Sequence, residues 1–344
     1  MTKKVLIIEN EKTNNELIIS GSYWFRIEMA YGLKRLGYTP SLVQHPSYNY
    51  QPWINGEKLP SKRTKKGLED IISDYDLVIL LDDIEVKGVI KSRDTPIIYW
   101  DIEGFPPKNK FFENILVNIN DEKFSYYGKK FNSVTNVLEK YYFHFKKQKL
   151  KHWQVDAIFS ASKKSLFKNS KFLPLGAEPE LYSVKNLVKR DINFAIIGST
   201  SRWFQAEERI KIAEIDLKEL NFPITYWFGA MPEIHKNNMP KNCFPMGHID
   251  FLSLPNYLQR IKTLLHIPRP YHLETICQSA TIYQAAAAGC IVIHHFSDKN
   301  LDANKIGYDI KSVNDLDILQ GKEFPEDFTY RTRFETMSKM VEVL

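Results

Sequence analysis

The sequence predicts an α/β protein of two domains, each a largely parallel sheet flanked by helices. Three observations carry this. At 344 residues the chain exceeds the size at which a single apolar core usually stops growing. Short apolar runs recur along it, among them Val5 to Ile8, Leu77 to Leu81, Pro96 to Trp100, Asn193 to Ile197 and Ile291 to Ile293. They lack polar alternation, as strands buried on both faces do. Stretches of helical periodicity lie between them, so each half of the chain opens with strand, helix, strand.

Composition bounds the class. A hydrophobic share of 43% with 13% aromatics is that of a globular protein, and no apolar run approaches the roughly 20 residues needed to span a bilayer. A cytoplasmic monomer without a membrane partner is expected. Cys243, Cys277 and Cys290 follow no metal or disulfide spacing and are read as buried free thiols. The net charge of +6 is uneven: from Lys140 to Lys171 there are nine lysines against the single acid Asp156, with Tyr141, Tyr142, Phe143, Phe145 and Trp153 interleaved. Within this stretch Lys146, Lys147, Lys149 and Lys151 are candidate contacts to a polyanionic partner. The alternative is a solvated surface over ordinary core aromatics.

In the first half, Val5 to Ile8 is a strand. Phe25, Met29, Leu33 and Leu36 recur at helical spacing, and Gly37 ends that helix before a strand at Ser41 to Val43. Residues 45–66 are polar, aromatic and proline-bearing and read as an exposed excursion. Pro96 to Trp100 is a strand that delivers Asp101 into a Gly and Pro turn. A carboxylate held by rigid backbone at the carboxyl end of a strand is placed as a general base needs, and Asp101 is the catalytic candidate. The alternative is that it caps the turn. After further strands at Ala157 to Ser160 and Phe172 to Pro174, Gly176 and Glu178-Pro179 read as the exit from the first domain.

In the second half, the strand Asn193 to Ile197 runs into Gly198, Ser199 and Thr200, with Arg202 and Arg209 on the helix behind. Small residues at a strand-to-helix turn let backbone amides approach an anion, and guanidinium groups bridge phosphate oxygens. Ile224 to Phe228 and Leu264 to Ile267 are strands, residues 242–247 are irregular, and a loop bearing Arg269 and His272 follows. Ser279 then caps a helix containing Ala285 to Ala288, and Gly289 ends it. The helix amino end, with Ser279, Thr281 and Gln284, is a candidate nucleotide contact. Gln284 is expected to hold a ribose hydroxyl, in which case its replacement by Ala leaves folding unchanged. The alternative is a helix made small only to pack tightly. Phe334, Met337, Met340, Val341 and Leu344 mark a closing amphipathic helix.

The stretches DYDLVILLDD, PIIYWDIEGFPP, IIGSTSRWFQAEERIKI, ITYWFG and SATIYQAAAAGCIVI resemble, in order and spacing, the bacteriophage DNA β-glucosyltransferases. FLPLGAEPELY, followed by INFAIIGSTSRWFQAEER and TIYQAAAAGC, is similar to the CgeB-type glycosyltransferases. Both belong to the GT-B class, which implies two Rossmann-like domains facing across a cleft: residues 1–175 for the acceptor, 176–325 for the nucleotide-sugar, and 326–344 as a helix packing back on the first domain. The DNA-modifying family's general base falls on Asp101. Its diphosphate arginines fall on Arg202 and Arg209. Its ribose-binding arginine and glutamate fall on Thr281 and Gln284, two departures that leave Arg269 or His272 to supply charge. The resemblance implies a UDP-sugar donor, inversion at the anomeric carbon, no required cofactor or metal although a divalent cation can assist, and a hydroxymethylpyrimidine of duplex DNA as acceptor. The CgeB-type branch implies an envelope, spore or carbohydrate acceptor instead, and loss of transfer would leave a nucleotide- or DNA-binding module.

Overall fold

The computed structural model describes residues 2–9, 22–44, 53–54, 57–58, 61–63, 72–81, 94–102, 155–165, 167, 169–182, 189–198, 206–229, 231, 236–237, 239–249, 253–268 and 270–341. Two parallel sheets organise them. The first contains β1 (Lys4–Glu9), β2 (Thr39–Gln44), β5 (Ser61–Arg63), β6 (Leu77–Leu81), β7 (Ile97–Asp101), β8 (Ala157–Ser160) and β9 (Lys171–Phe172), in the order β5-β2-β1-β6-β7-β8-β9. A two-stranded hairpin, β3 (Trp53–Ile54) with β4 (Glu57–Lys58), stands apart from it. The second contains β10 (Ile192–Ile197), β11 (Thr225–Phe228), β12 (Cys243–Gly247), β13 (Ile261–Leu265), β14 (Ile291–His294) and β15 (Tyr308–Asp309), in the order β12-β11-β10-β13-β14-β15.

Among the described residues the α-helices are α1 (Ser22–Arg35), α2 (Ala206–Glu219), α3 (Leu254–Arg260), α4 (Pro270–Thr275), α5 (Ala280–Ala287), α6 (Asp302–Ile306) and α7 (Tyr330–Val341). The period-2 alternation of the strands sorts the second sheet into two layers. Ala195, Leu264 and Val292 face a core shared with Leu258 of α3 and with Ile282, Tyr283, Ala285 and Ala286 of α5. Their neighbours Ile196, Leu265 and Ile293 face the opposite core, closed by Ile210, Ala213 and Leu217 of α2. The first of these cores continues without a break into the first sheet, through Ala177 and Tyr182 to Phe25, Met29 and Leu33 of α1 and to Trp100 of β7. Helix α7 closes it from the other end, since Tyr330 and Phe334 meet the Trp100 ring edge-on at 6.2 and 6.1 Å.

Four boundaries differ from the sequence expectation. Residues 243–247 form β12 rather than irregular chain; this is the sheet's outer strand, where Pro245 removes no essential ladder bond and Phe244 and Met246 stay exposed. Residues 61–63, inside the expected excursion, pair in parallel with β2. β13 begins at Ile261, directly at the end of α3, because Ile261 is already buried against the sheet. Residues 270–275, expected as loop, form the short helix α4.

Candidate functional site

In each sheet the order reverses where the first strand of the half lies between its neighbours, at β1 beside β6 and at β10 beside β13. Ligands of open parallel sheets collect at the carboxyl ends around such points. Here the two carboxyl edges meet. Beyond β8, the Ser162 hydroxyl donates to the Thr275 carbonyl at 2.6 Å, the Lys164 amide donates to the same carbonyl at 3.1 Å, and Ser162 bridges to Cys277. Ile276, between them, takes a left-handed φ of 58°, an uncommon conformation for a β-branched residue.

Asp101 lies at this meeting line. It ends β7 in register with Ser160 of β8, so the two side chains share a face, and Ser160 Oγ donates to Asp101 Oδ2 at 3.0 Å. Both residues are fully buried. The buried neighbour Trp100 points the other way, into the core under α7.

Across the line, the strand-to-helix turn after β10 starts at Gly198, whose φ of 154° is disfavoured for a residue with a side chain. Its amide donates to Phe228 O and its carbonyl accepts from the Trp227 indole, each at 2.8 Å. Arg209 of α2 lies directly on it: a methyl group at Gly198 would stand 2.3 Å from Arg209 Nη2. The same guanidinium donates to the Ile267 carbonyl through Nε and Nη2 at 3.1 and 2.8 Å. A buried cation therefore joins the ends of β10 and β13 at the reversal point. Next to it, burial pushes the His266 imidazole well below its usual pKa, with Arg209 and the neighbouring histidines adding to the effect. It is neutral at physiological pH. His294 is driven down to about 4, also by burial first, and its ring accepts from the Phe296 amide. His272 of α4 is buried nearby.

Helix α5 begins as its sequence predicts, with the Ser279 hydroxyl accepting from the Thr281 amide at 3.3 Å. Ser279 and Thr281 are half-buried. Gln284 is fully engaged in the interior: it is 2% exposed, and its amide donates to Glu28 Oε2 of α1 at 2.8 Å. The expectation that truncating it leaves folding unchanged is thereby corrected, because the loss would strip a buried carboxyl group of a donor. Glu28 Oε1 accepts from the Tyr182 hydroxyl at 2.9 Å and the Glu178 amide at 3.1 Å, and Tyr182 in turn accepts from the Trp24 indole at 2.8 Å. Burial pushes Glu28 up to about 8 and Glu178 up to about 7. This seam was not foreseen, although one acid among Phe25, Ile27, Met29 and Ala30 was its signal.

Ser199, Thr200, Arg202, Arg269, Lys146, Lys147, Lys149 and Lys151 lie outside the described residues. Among the described residues no group of three or more His, Cys, Asp or Glu side chains is placed to hold a metal ion, and no helix is long and apolar enough to cross a membrane. Cys243, Cys277 and Cys290 are buried thiols outside any disulfide.

No family model and no curated protein matches the chain. Among solved structures, it is similar over 99% of its length to AviGT4, a glycosyltransferase involved in avilamycin A biosynthesis, with a TM-score of 0.62, 14% identity and 97% of that chain covered. The fold is GT-B. A second GT-B structure, an alpha-glucosyltransferase in complex with UDP and a 13-mer DNA containing a central A:G mismatch, matches with a TM-score of 0.50 and 12% identity, over 99% of this chain and 90% of that one. In GT-B terms the two sheets are the paired α/β domains, and Asp101 and Arg209 stand on opposite sides of the line between them.

Proposed function

We propose that this protein is a glycosyltransferase that moves a sugar from a UDP-sugar to a hydroxyl group, with Asp101 as general base. The observations that carry the reading are a buried carboxyl group at the carboxyl end of β7 in the first sheet and, at the carboxyl end of β10 in the second, a turn at Gly198 with the buried Arg209 guanidinium. Residues 1–175 hold the acceptor, residues 176–325 hold the donor, and 326–344 tie the second back to the first. Asp101 takes the acceptor's proton as the acceptor oxygen bonds to the anomeric carbon and the bond to the diphosphate breaks on the opposite face, which inverts that carbon. His272 joins Arg209 as a donor-side candidate, the sequence adds Ser199, Thr200, Arg202 and Arg269 to that set, and Ser279 and Thr281 at the amino end of α5 are the ribose candidates, since the Gln284 amide is taken up by Glu28. Amide donors and guanidinium groups stabilise the charge that grows on the leaving diphosphate, with no cation required.

The acceptor in this reading is a 5-hydroxymethylpyrimidine of duplex DNA, as in a bacteriophage DNA modification. The solved alpha-glucosyltransferase with DNA and the basic stretch at Lys146, Lys147, Lys149 and Lys151 support it. A second reading, a carbohydrate or other small acceptor, is favoured by the higher similarity to AviGT4. Incubation with labelled UDP-glucose and duplexes with or without hydroxymethylated pyrimidines separates them. Label on the modified duplex alone, lost by about 100-fold or more in Asp101→Asn, is the expected result. Label on an oligosaccharide with DNA untouched replaces the acceptor, and the anomeric configuration of the product, read by NMR, decides inversion. A protein that binds UDP without transfer or hydrolysis is a binding module.

A further inference from the structure

The residues around Asp101 form a chain of hydrogen bonds with one direction. Ser162 Oγ donates to the Thr275 carbonyl of the second domain and accepts from the Lys164 amide. The Ser162 amide donates to Ser160 Oγ at 3.1 Å. With that acceptor position occupied, the Ser160 proton is directed along its 3.0 Å contact to Asp101 Oδ2. All four residues, Asp101, Ser160, Ser162 and Thr275, are at most 2% exposed, so water does not compete for these groups.

Resting on the glycosyltransferase reading, we propose that Ser160 is the positioning residue of Asp101, and that Ser162 links that position to the seating of the second domain through Thr275. A hydroxyl that donates to a carboxylate favours its charged, proton-accepting form and holds it in one orientation. Because the contact between domains is made by Ser162, the serine next in line, withdrawal of the second domain frees Ser162 Oγ and loosens the hold on Ser160. The base is fully oriented only while the donor-bearing domain is seated against it.

The test uses the full-length protein carrying Ser160→Ala, Ser162→Ala, both together, or Ser160→Thr. Two quantities are read: kcat and KM for the UDP-sugar across pH, and the titration midpoint of the Asp101 carboxyl by NMR, with aspartate labelled at its carboxyl carbon and the signal assigned by its loss in Asp101→Asn. In Ser160→Ala the midpoint and the acidic limb of the rate profile move together to higher pH, and kcat falls about tenfold with KM within twofold. Ser162→Ala moves both in the same direction by less, and the double variant matches Ser160→Ala alone, because the two act in series. Ser160→Thr, which keeps the hydroxyl, restores the wild-type profile. An unmoved midpoint in Ser160→Ala, or strictly additive losses in the double variant, overturns the proposal. A wild type that transfers no sugar while the midpoint still shifts overturns the functional reading and leaves the positioning role standing.

Discussion

The side-chain amide of Gln284 donates to Glu28 Oε2 at 2.8 Å, joining the alanine-rich helix of the second domain to the first helix of the chain. Glu28 also faces Tyr182, Glu178 and Gln284 directly, with Tyr330, Arg331 and Arg333 close to the same seam. Its carboxyl is raised from 4.5 to about 8, chiefly by burial. A carboxyl with a raised folded pKa keeps a proton that the unfolded chain has already released. Its contribution to stability is fully present below 4.5 and is lost as pH rises towards 8, at no more than about 1.4 kcal/mol per pH unit. Glu178, raised to about 7, acts in the same direction. Below pH 6.5 the buried neutral His266 and His294 act in the opposite sense, so thermal unfolding is expected to show falling stability from about pH 6.5 to 8. Glu28→Gln, neutral and of the same shape, flattens the slope once the Gln284 amide turns over to accept. Parallel curves for wild type and variant would sink this account.

Gln284→Ala leaves Glu28 Oε2 without its donor. A loss of about 1 to 3 kcal/mol in unfolding free energy is expected, the usual penalty for orphaning a buried polar group. Calorimetric titration with UDP on the same samples tests the ribose role separately. An unchanged stability would show that the pair with Glu28 contributes nothing.

Gly198→Ala places a methyl group against the Arg209 guanidinium, which must shift from its hold on the Ile267 carbonyl to make room. With the cost of the backbone conformation, destabilisation of about 1 to 3 kcal/mol is expected. UDP affinity falls with it, because the buried cation is displaced. Urea unfolding with a UDP titration measures both, and an affinity at the wild-type value removes Arg209 from the donor side.

Arg333 of α7 spans the domains: Nη2 pairs with Asp302 at 2.5 Å, Nε donates to the Leu175 carbonyl at 3.2 Å, and Tyr283 donates to the same aspartate at 3.3 Å. Both side chains of the ion pair are largely buried. Arg333→Met strands a charge and is expected to cost about 3 to 5 kcal/mol, much of it recovered when Asp302→Asn is added. Denaturant titration of the single and double variants is the measurement, and a double variant no better than the single one contradicts the pairing.

The inner strands could be read from the sequence because strands covered on both faces must be apolar throughout, as LVILL and PIIYW are. β12 could not, because an outer strand with Pro245 and an exposed Phe244 carries no such pattern. Asp101 stood out as an acid at the end of an apolar run. Ser160 did not, because a serine ending AIFS acquires its meaning only when β8 pairs with β7 in a register that sets it beside Asp101. The same holds for Gln284. Its partner lies 256 residues away, and no local periodicity reports a contact of that separation.

Helix α7 also bears on how the chain is made. Trp100, in the middle of the first sheet, is covered by Tyr330 and Phe334, residues that emerge from the ribosome only after the whole second sheet has been translated. At typical elongation speeds of about 5 to 20 residues per second, the first sheet then waits roughly ten to thirty seconds with that apolar surface uncovered. Nascent-chain handling, rather than equilibrium stability, is where shortening of the last helix would be felt first: a protein lacking it would be held by chaperones or lost to aggregation during synthesis, with its first half otherwise formed.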